Sequence, residues 1–235
     1  MKNLKSFVSF LINENEEKTE FLFSELSKDA QSKALDELRD LNVQYDGWHD
    51  DVIDQFKEDM EMLGLSDVEV SYSGFFSQGD GASFTADVSD TEVFMKEALG
   101  LESDEWLDMG DGIKPKDELD ALRSDLLDIG FDTREKLTPE NFIISIIRTS
   151  SRYSHENTIE GDLDIEDIPE SIEDEFPLYK YQDMIQNKVT NWAREKSKKL
   201  YRDLEKEYDY LTSDEEVKDS IEANDYLFTE DGKLA

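Results

Sequence analysis

The sequence predicts an α+β fold, mainly helical, with a small mostly antiparallel sheet and a long C-terminal helix. Two changes of apolar period carry that expectation. Up to Leu63 apolar residues recur at intervals of three and four; from Val68 to Val88 they alternate with polar ones; from Ile185 to Leu211 they return to one helical stripe.

The first helix is expected near Ser27, an N-cap residue type, with Ala30, Ala34, Leu35, Leu38 and Leu41 on its inner side. A second begins near Gly47 and carries Trp48, Val52, Ile53, Phe56, Met60 and Leu63 until Gly64 stops it. Val68, Val70 and Tyr72, then Phe84, Ala86 and Val88, read as two neighbouring strands or a hairpin. Ser89 and Asp90 cap a helix bearing Val93, Phe94 and Ala98. After Gly110, Gly112 and Pro115 a helix is expected over 116–129. The run Phe142 to Ile147 is short, β-branched and apolar, as in a central strand covered on both faces.

From Glu156 to Glu175 ten acids occur without a Lys or Arg, which predicts a solvated acidic loop or short helix. A long helix then runs from about Pro177 to Leu211, its basic middle (Lys188, Arg194, Lys196, Lys198, Lys199, Arg202, Lys206) read as internal counter-charge to that block. A short helix capped by Ser213 and a turn over 228–233 end the chain. The expected division is an α+β core over 1–150, the acidic segment over 151–176, and a helix and tail over 177–235 packing on that core.

Sixty Asp and Glu against twenty-five Lys and Arg give a formal charge of -35. Such a field attracts cationic surfaces over about 8 Å in physiological salt and opposes nucleic acid and anionic lipid. The expected partner is a basic protein. Disorder is disfavoured by three Trp, nine Tyr and thirteen Phe. Adaptation to high salt is disfavoured because Lys outnumbers Arg eighteen to seven. Plain solubility remains the competing explanation of the charge.

Cysteine is absent, which excludes disulfides, thiolate metal sites and Cys nucleophiles. The apolar stretch Phe7 to Ile12 is too short for a signal peptide, and no run reaches the roughly 18 residues of a membrane span. These features predict a soluble, intracellular protein. No phosphate-binding loop, dinucleotide fingerprint, paired-His zinc helix or calcium loop is present, so neither cofactor nor metal is expected.

Two segments are candidates for a site. In the first, Gln78, Gly79, Asp80 and Gly81 could hold a ligand through backbone amides, with Asp80 as acceptor or base; the same residues also suit a hairpin turn. In the second, Arg152 and His155 follow the apolar strand. His49 and His155 are the chain's two imidazoles, and His49 stands among acids at a helix start, where a charged surface role is commoner. A cluster of Asp80, Arg152 and His155 is the candidate catalytic set. The candidate anionic surfaces are Asp50, Asp51, Asp54, Glu58 and Asp59, and the block Glu160, Asp162, Asp164, Glu166, Asp167, Glu170, Glu173, Asp174 and Glu175.

The stretch Phe23-Ser24-Glu25-Leu26-Ser27, with Ala30, Ala34 and Trp48, and above all Ser73-Gly74-Phe75-Phe76-Ser77-Gln78-Gly79-Asp80-Gly81-Ala82, resembles a group of small phage and prophage proteins. Arg152-Tyr153-Ser154-His155-Glu156 and Glu207 to Glu215 are similar to further blocks of that group. Many of its members carry the label "antitoxin of toxin-antitoxin stability system". The resemblance implies a virus of bacteria and action in the host cytoplasm, and it transfers no catalytic residue.

Three functions follow as expectations. The first is a binding protein that blocks a nucleic-acid-handling host defence or regulatory factor by mimicking polynucleotide charge. The second is an antitoxin-like or chaperone-like partner that neutralises a basic toxin or viral protein through the apolar stripe of the long helix. The third is an enzyme acting on a small metabolite or nucleotide at the Asp80 and His155 loops.

Overall fold

The computed structural model describes residues 19–100, 141–150, 152–166 and 178–235. In chain order its elements are β1 (Phe21–Leu22), α1 (Lys28–Glu37), α2 (Asp50–Glu61), β2 (Leu65–Tyr72), β3 (Ala82–Val88), a short α3 (Thr91–Val93) continued by a π turn (Phe94–Ala98), β4 (Phe142–Arg148), β5 (Ile159–Ile165), α4 (Leu178–Leu211), α5 (Asp214–Ala223) and β6 (Leu227–Phe228). This is an α+β chain with an antiparallel sheet and a long C-terminal helix. The helix expected over 116–129 and the acids Asp167, Glu170, Glu173, Asp174 and Glu175 lie outside the described residues. Among those described, no helix is long and apolar enough to cross a membrane.

The chain divides into two units, Asp50–Glu205 and Met1–His49 with Lys206–Ala235. This division differs from the one expected at residues 150 and 177. Residues beyond Glu205 find their apolar partners among N-terminal ones: Val217, Ile221 and Phe228 share a core with Phe23, Leu26, Ala30, Ala34 and Leu38.

In that terminal unit α1 starts where Ser27 was expected to cap it, the Ser27 hydroxyl accepting from the Ala30 amide at 3.3 Å. Ser213 caps α5 in the same way. The Phe23 and Phe228 rings meet edge to face at 6.2 Å, and β1 pairs with β6. Arg39 donates to the Thr212 carbonyl and to Asp36 and Asp214. Tyr208 at the end of α4 donates to Asp40 and meets the Trp48 ring.

In the unit Asp50–Glu205, α2 stops before Gly64, whose φ of 84° lies in the left-handed region that favours glycine. The Gly64 carbonyl accepts from the amides of Ser89 and Asp90, so the helix stop is tied to the end of β3. Asp90 then caps α3 through the Val93 amide.

Strands β2, β3, β4 and β5 form one antiparallel sheet in that order, and β2 with β3 is the expected hairpin. One face of it meets helices. Phe84, Ala86, Ile144, Ile146, Ile159 and Leu163 pack with Phe56 and Met60 of α2, Phe94 and Met95 of the π turn, and Ile185, Val189, Ala193, Leu200 and Leu204 of α4. Burial of this set is the main source of the unit's stability.

Two expectations about strands are corrected. Strand β4 is interior in the sheet, but it is not covered on both faces: Ile144 and Ile146 are buried, whereas Ile143 is 51% and Ile147 40% exposed. Over Ile159–Ile165 the acidic block is a strand and not the expected loop or short helix, because Ile159, Leu163 and Ile165 alternate with Glu160, Asp162 and Asp164 in β5. Cross-strand pairing with β4 holds each apolar residue over the core and turns each acid outward.

The free edge of β5 is closed by polar side chains of α4. Thr190 accepts from the Gly161 amide at 2.9 Å, while Gln182 and Arg194 donate to the carbonyls of Leu163 and Ile159. These bonds satisfy groups that would otherwise invite another strand. In the basic stretch of α4, Lys198 and Lys199 pair with Glu195 and Asp203 of their own helix, one helical turn away.

Candidate functional site

The two candidate loops meet. Between β2 and β3, Ser73 and Gly81 close the hairpin end through backbone and hydroxyl bonds. Gly79 has φ 97°, and a side chain there would point at the Tyr153 ring, 3.4 Å away. A Cβ on Gly81 would lie 2.5 Å from that of His155. Glycine at 79 and 81 thus lets the Tyr153 to His155 backbone settle onto the hairpin tip. Arg148 holds the second loop in place, donating to the Tyr153 carbonyl, the Ser154 hydroxyl and, across the sheet, the Ser71 hydroxyl at 3.2 Å. Tyr201 of α4 donates to the Gly74 carbonyl.

What these contacts leave for chemistry is limited. The Asp80 carboxylate accepts from the amides of Phe76 and Ser77 at 3.1 and 2.7 Å, which folds the loop around it. His155 Nδ1 accepts from the Asn157 amide and so caps the turn Glu156–Thr158. Arg152 stacks over the Tyr153 ring at 5.3 Å, and Gln78 is exposed. Asp80 and His155 lie on the two loops that meet, with the carboxylate and one imidazole nitrogen engaged in backbone turns. His49, the other imidazole, is half-buried against Trp48.

The two groups of acids expected as anionic surfaces fall on different faces. Asp50, Asp51, Asp54 and Glu58 are exposed on α2, and half-buried Asp59 accepts from Gln55. Since α2 covers the inner face of the sheet, these acids point away from it. Glu160, Asp162 and Asp164 lie on the opposite, outer face, and Glu166 follows the strand end.

That outer face is the most distinctive surface of the unit. Register places Ser66, Asp87, Ser145 and Asp162 in one row across four strands, with Ile147 opposite Glu160 and Ile143 opposite Asp164. Glu69, opposite Thr85, adds a carboxylate on β2. Acids on β5 recur about every 6.6 Å, and Asp87 stands two strands away, roughly 10 Å across. Between the acids of β5 and Asp87 of β3 runs the β4 column of Ile143, Ser145 and Ile147.

Asp87, Glu69, Ile143 and Ile147 were not singled out from the sequence. Strict alternation over Ile159 to Ile165 was a readable sign of a strand, obscured by the density of acids around it. Which carboxylates of other strands would join those of β5 depended on register, which no local pattern reveals.

The stripe of α4 proposed as a partner surface is occupied. Ile185, Val189, Leu200 and Leu204 are buried in the unit's own core.

Fold and surface together define an antiparallel α+β domain with helices on one side of its sheet and carboxylates on the other. A family model described as a domain of unknown function, DUF8835, matches residues 48–214, and the chain belongs to that family. The match spans the whole unit that carries the sheet. No curated protein and no solved structure matches the chain.

Proposed function

We propose that the protein is a phage-encoded acidic binding protein that acts in the host cytoplasm, where it occupies the cationic cleft of a nucleic-acid-handling defence or regulatory factor. The single observation that carries this reading is the outer sheet face. On it five carboxylates, Glu69, Asp87, Glu160, Asp162 and Asp164, are held in register by a hydrogen-bonded sheet. A rigid array keeps its charges apart without the entropy loss that long surface side chains on a mobile loop would suffer on binding. The acids of β5 stand roughly 10 Å from Asp87 of β3, between the minor- and major-groove widths of about 6 and 12 Å. Along β5 the charge is about half as dense as on one strand of duplex DNA, where a phosphate recurs each 3.4 Å or so along the axis.

Affinity capture from infected host cells at low and high salt tests this directly. Expected are nucleic-acid-binding proteins that are released by salt and by added duplex DNA, and that a Glu160→Gln, Asp162→Asn, Asp164→Asn protein fails to retain. Capture indifferent to salt, to DNA and to the neutralised strand would refute the reading.

A further inference from the structure

We infer that the outer sheet face receives a basic amphipathic helix, whose apolar stripe lies on Ile143 and Ile147 and whose flanking Lys or Arg side chains reach the acids on either side. This rests on the reading of the face as a docking surface for a cationic protein, and it names the chemistry of what docks. A surface that had only to imitate phosphates would need carboxylates and hydroxyls. Here two isoleucines, 51% and 40% exposed, stand on the same side of one interior strand. Scattered exposed apolar residues are ordinary, but these two sit in one column with carboxylates directly opposite them.

Dimensions select the occupant. The acids of β5 and Asp87 of β3 lie about 10 Å apart with the isoleucine column between them, and an α-helix with its side chains is about 10–12 Å across. Ile143 and Ile147 are separated by about 13 Å along the strand, the rise of eight or nine helical residues. A helix lying along β4 would bury its stripe on both isoleucines while Lys or Arg stems on its two flanks extend to Glu160, Asp162 and Asp164 on one side and to Asp87 on the other. Charge also argues against the chain's own residues 101–140 as occupant, since they hold thirteen acids against five basic residues.

Two synthetic 18-residue peptides of identical Leu and Lys composition test the inference, one patterned as an amphipathic helix and one scrambled so that no stripe forms. Fluorescence anisotropy on the full chain should show at least tenfold tighter binding of the patterned peptide. An Ile143→Ser, Ile147→Ser protein should bind the two alike, with its thermal midpoint within a few degrees of the parent. Neutralising Glu160, Asp162 and Asp164 should weaken both peptides and flatten their salt dependence. Equal affinity of the two peptides for the parent protein overturns the helix while leaving the charge reading standing. Unchanged binding of both after neutralisation sinks the charge reading itself. A collapse of the thermal midpoint in the isoleucine double variant overturns the inference too, because it would mean that the chain covers those side chains itself.

Discussion

Strand β4 carries isoleucines on both of its faces, and the two faces have opposite fates. Ile144 and Ile146 are 2% and 1% exposed beneath α2 and α4, while Ile143 and Ile147 on the other side keep about half of their surface open. The inner face is satisfied by packing within the chain, so its residues stabilise the fold. The outer face combines apolar and acidic groups that contribute little to folding, which is why the proposed docking is placed there. Side-chain type is the same in both cases; only the surroundings differ.

The contrast breaks most easily at the isoleucines. Ile146→Ala should cost about 2–5 kcal/mol in urea unfolding, whereas Ile143→Ala should cost about 1 kcal/mol or less. Similar losses for both would mean that the two faces are equally enclosed. Next in size is Gly161→Ala, since a Cβ there would come within 2.6 Å of Val189 Cγ1 and 3.2 Å of the Gln186 carbonyl. It should destabilise by about 1–3 kcal/mol, and Val189→Ala in the same chain should recover part of the loss through the freed space. Thr190→Val sharpens the picture at the sheet edge. It keeps the shape of the side chain but removes the acceptor of the buried Gly161 amide, for an expected cost of about 1–2 kcal/mol and faster amide exchange at Gly161. Smallest of all is the neutralised strand, Glu160→Gln with Asp162→Asn and Asp164→Asn. Its stability should stay within about 0.5 kcal/mol of the parent or rise slightly at low salt, because like charges on one strand repel.

Much of the local structure was legible before any coordinates. Ser27, Asp90 and Ser213 announce helix starts because a short side-chain oxygen satisfies an amide that has no partner inside the helix. Gly64 marks a stop, and the alternation on either side of Gly79-Asp80-Gly81 marks a hairpin. The site was less legible. Its two candidate loops were both noticed, and the structure brings them together, but their polar atoms fold turns: the Asp80 carboxylate receives two amides of its own loop. A sequence shows that an Asp lies between glycines; it does not show which amides lie within reach. The acids of β5 were recognised as a group and misread as a loop, since self-repelling charge suggested solvation while the alternate Ile159, Gly161 and Leu163 required a sheet.

From the amino acids alone come the large negative charge, the helix caps and stops, and the period of each element, because all of these depend on neighbours a few residues apart. Tertiary structure decided which face of each strand meets helices, which acids share a surface, and that the C-terminal residues join the N-terminal ones instead of the sheet. Those outcomes depend on register and on contacts between residues far apart in the chain, such as Ser145 with Asp87 and Asp162, or Phe23 with Phe228. A shift of one residue in pairing would keep every local preference and yet turn the carboxylates of β5 into the core.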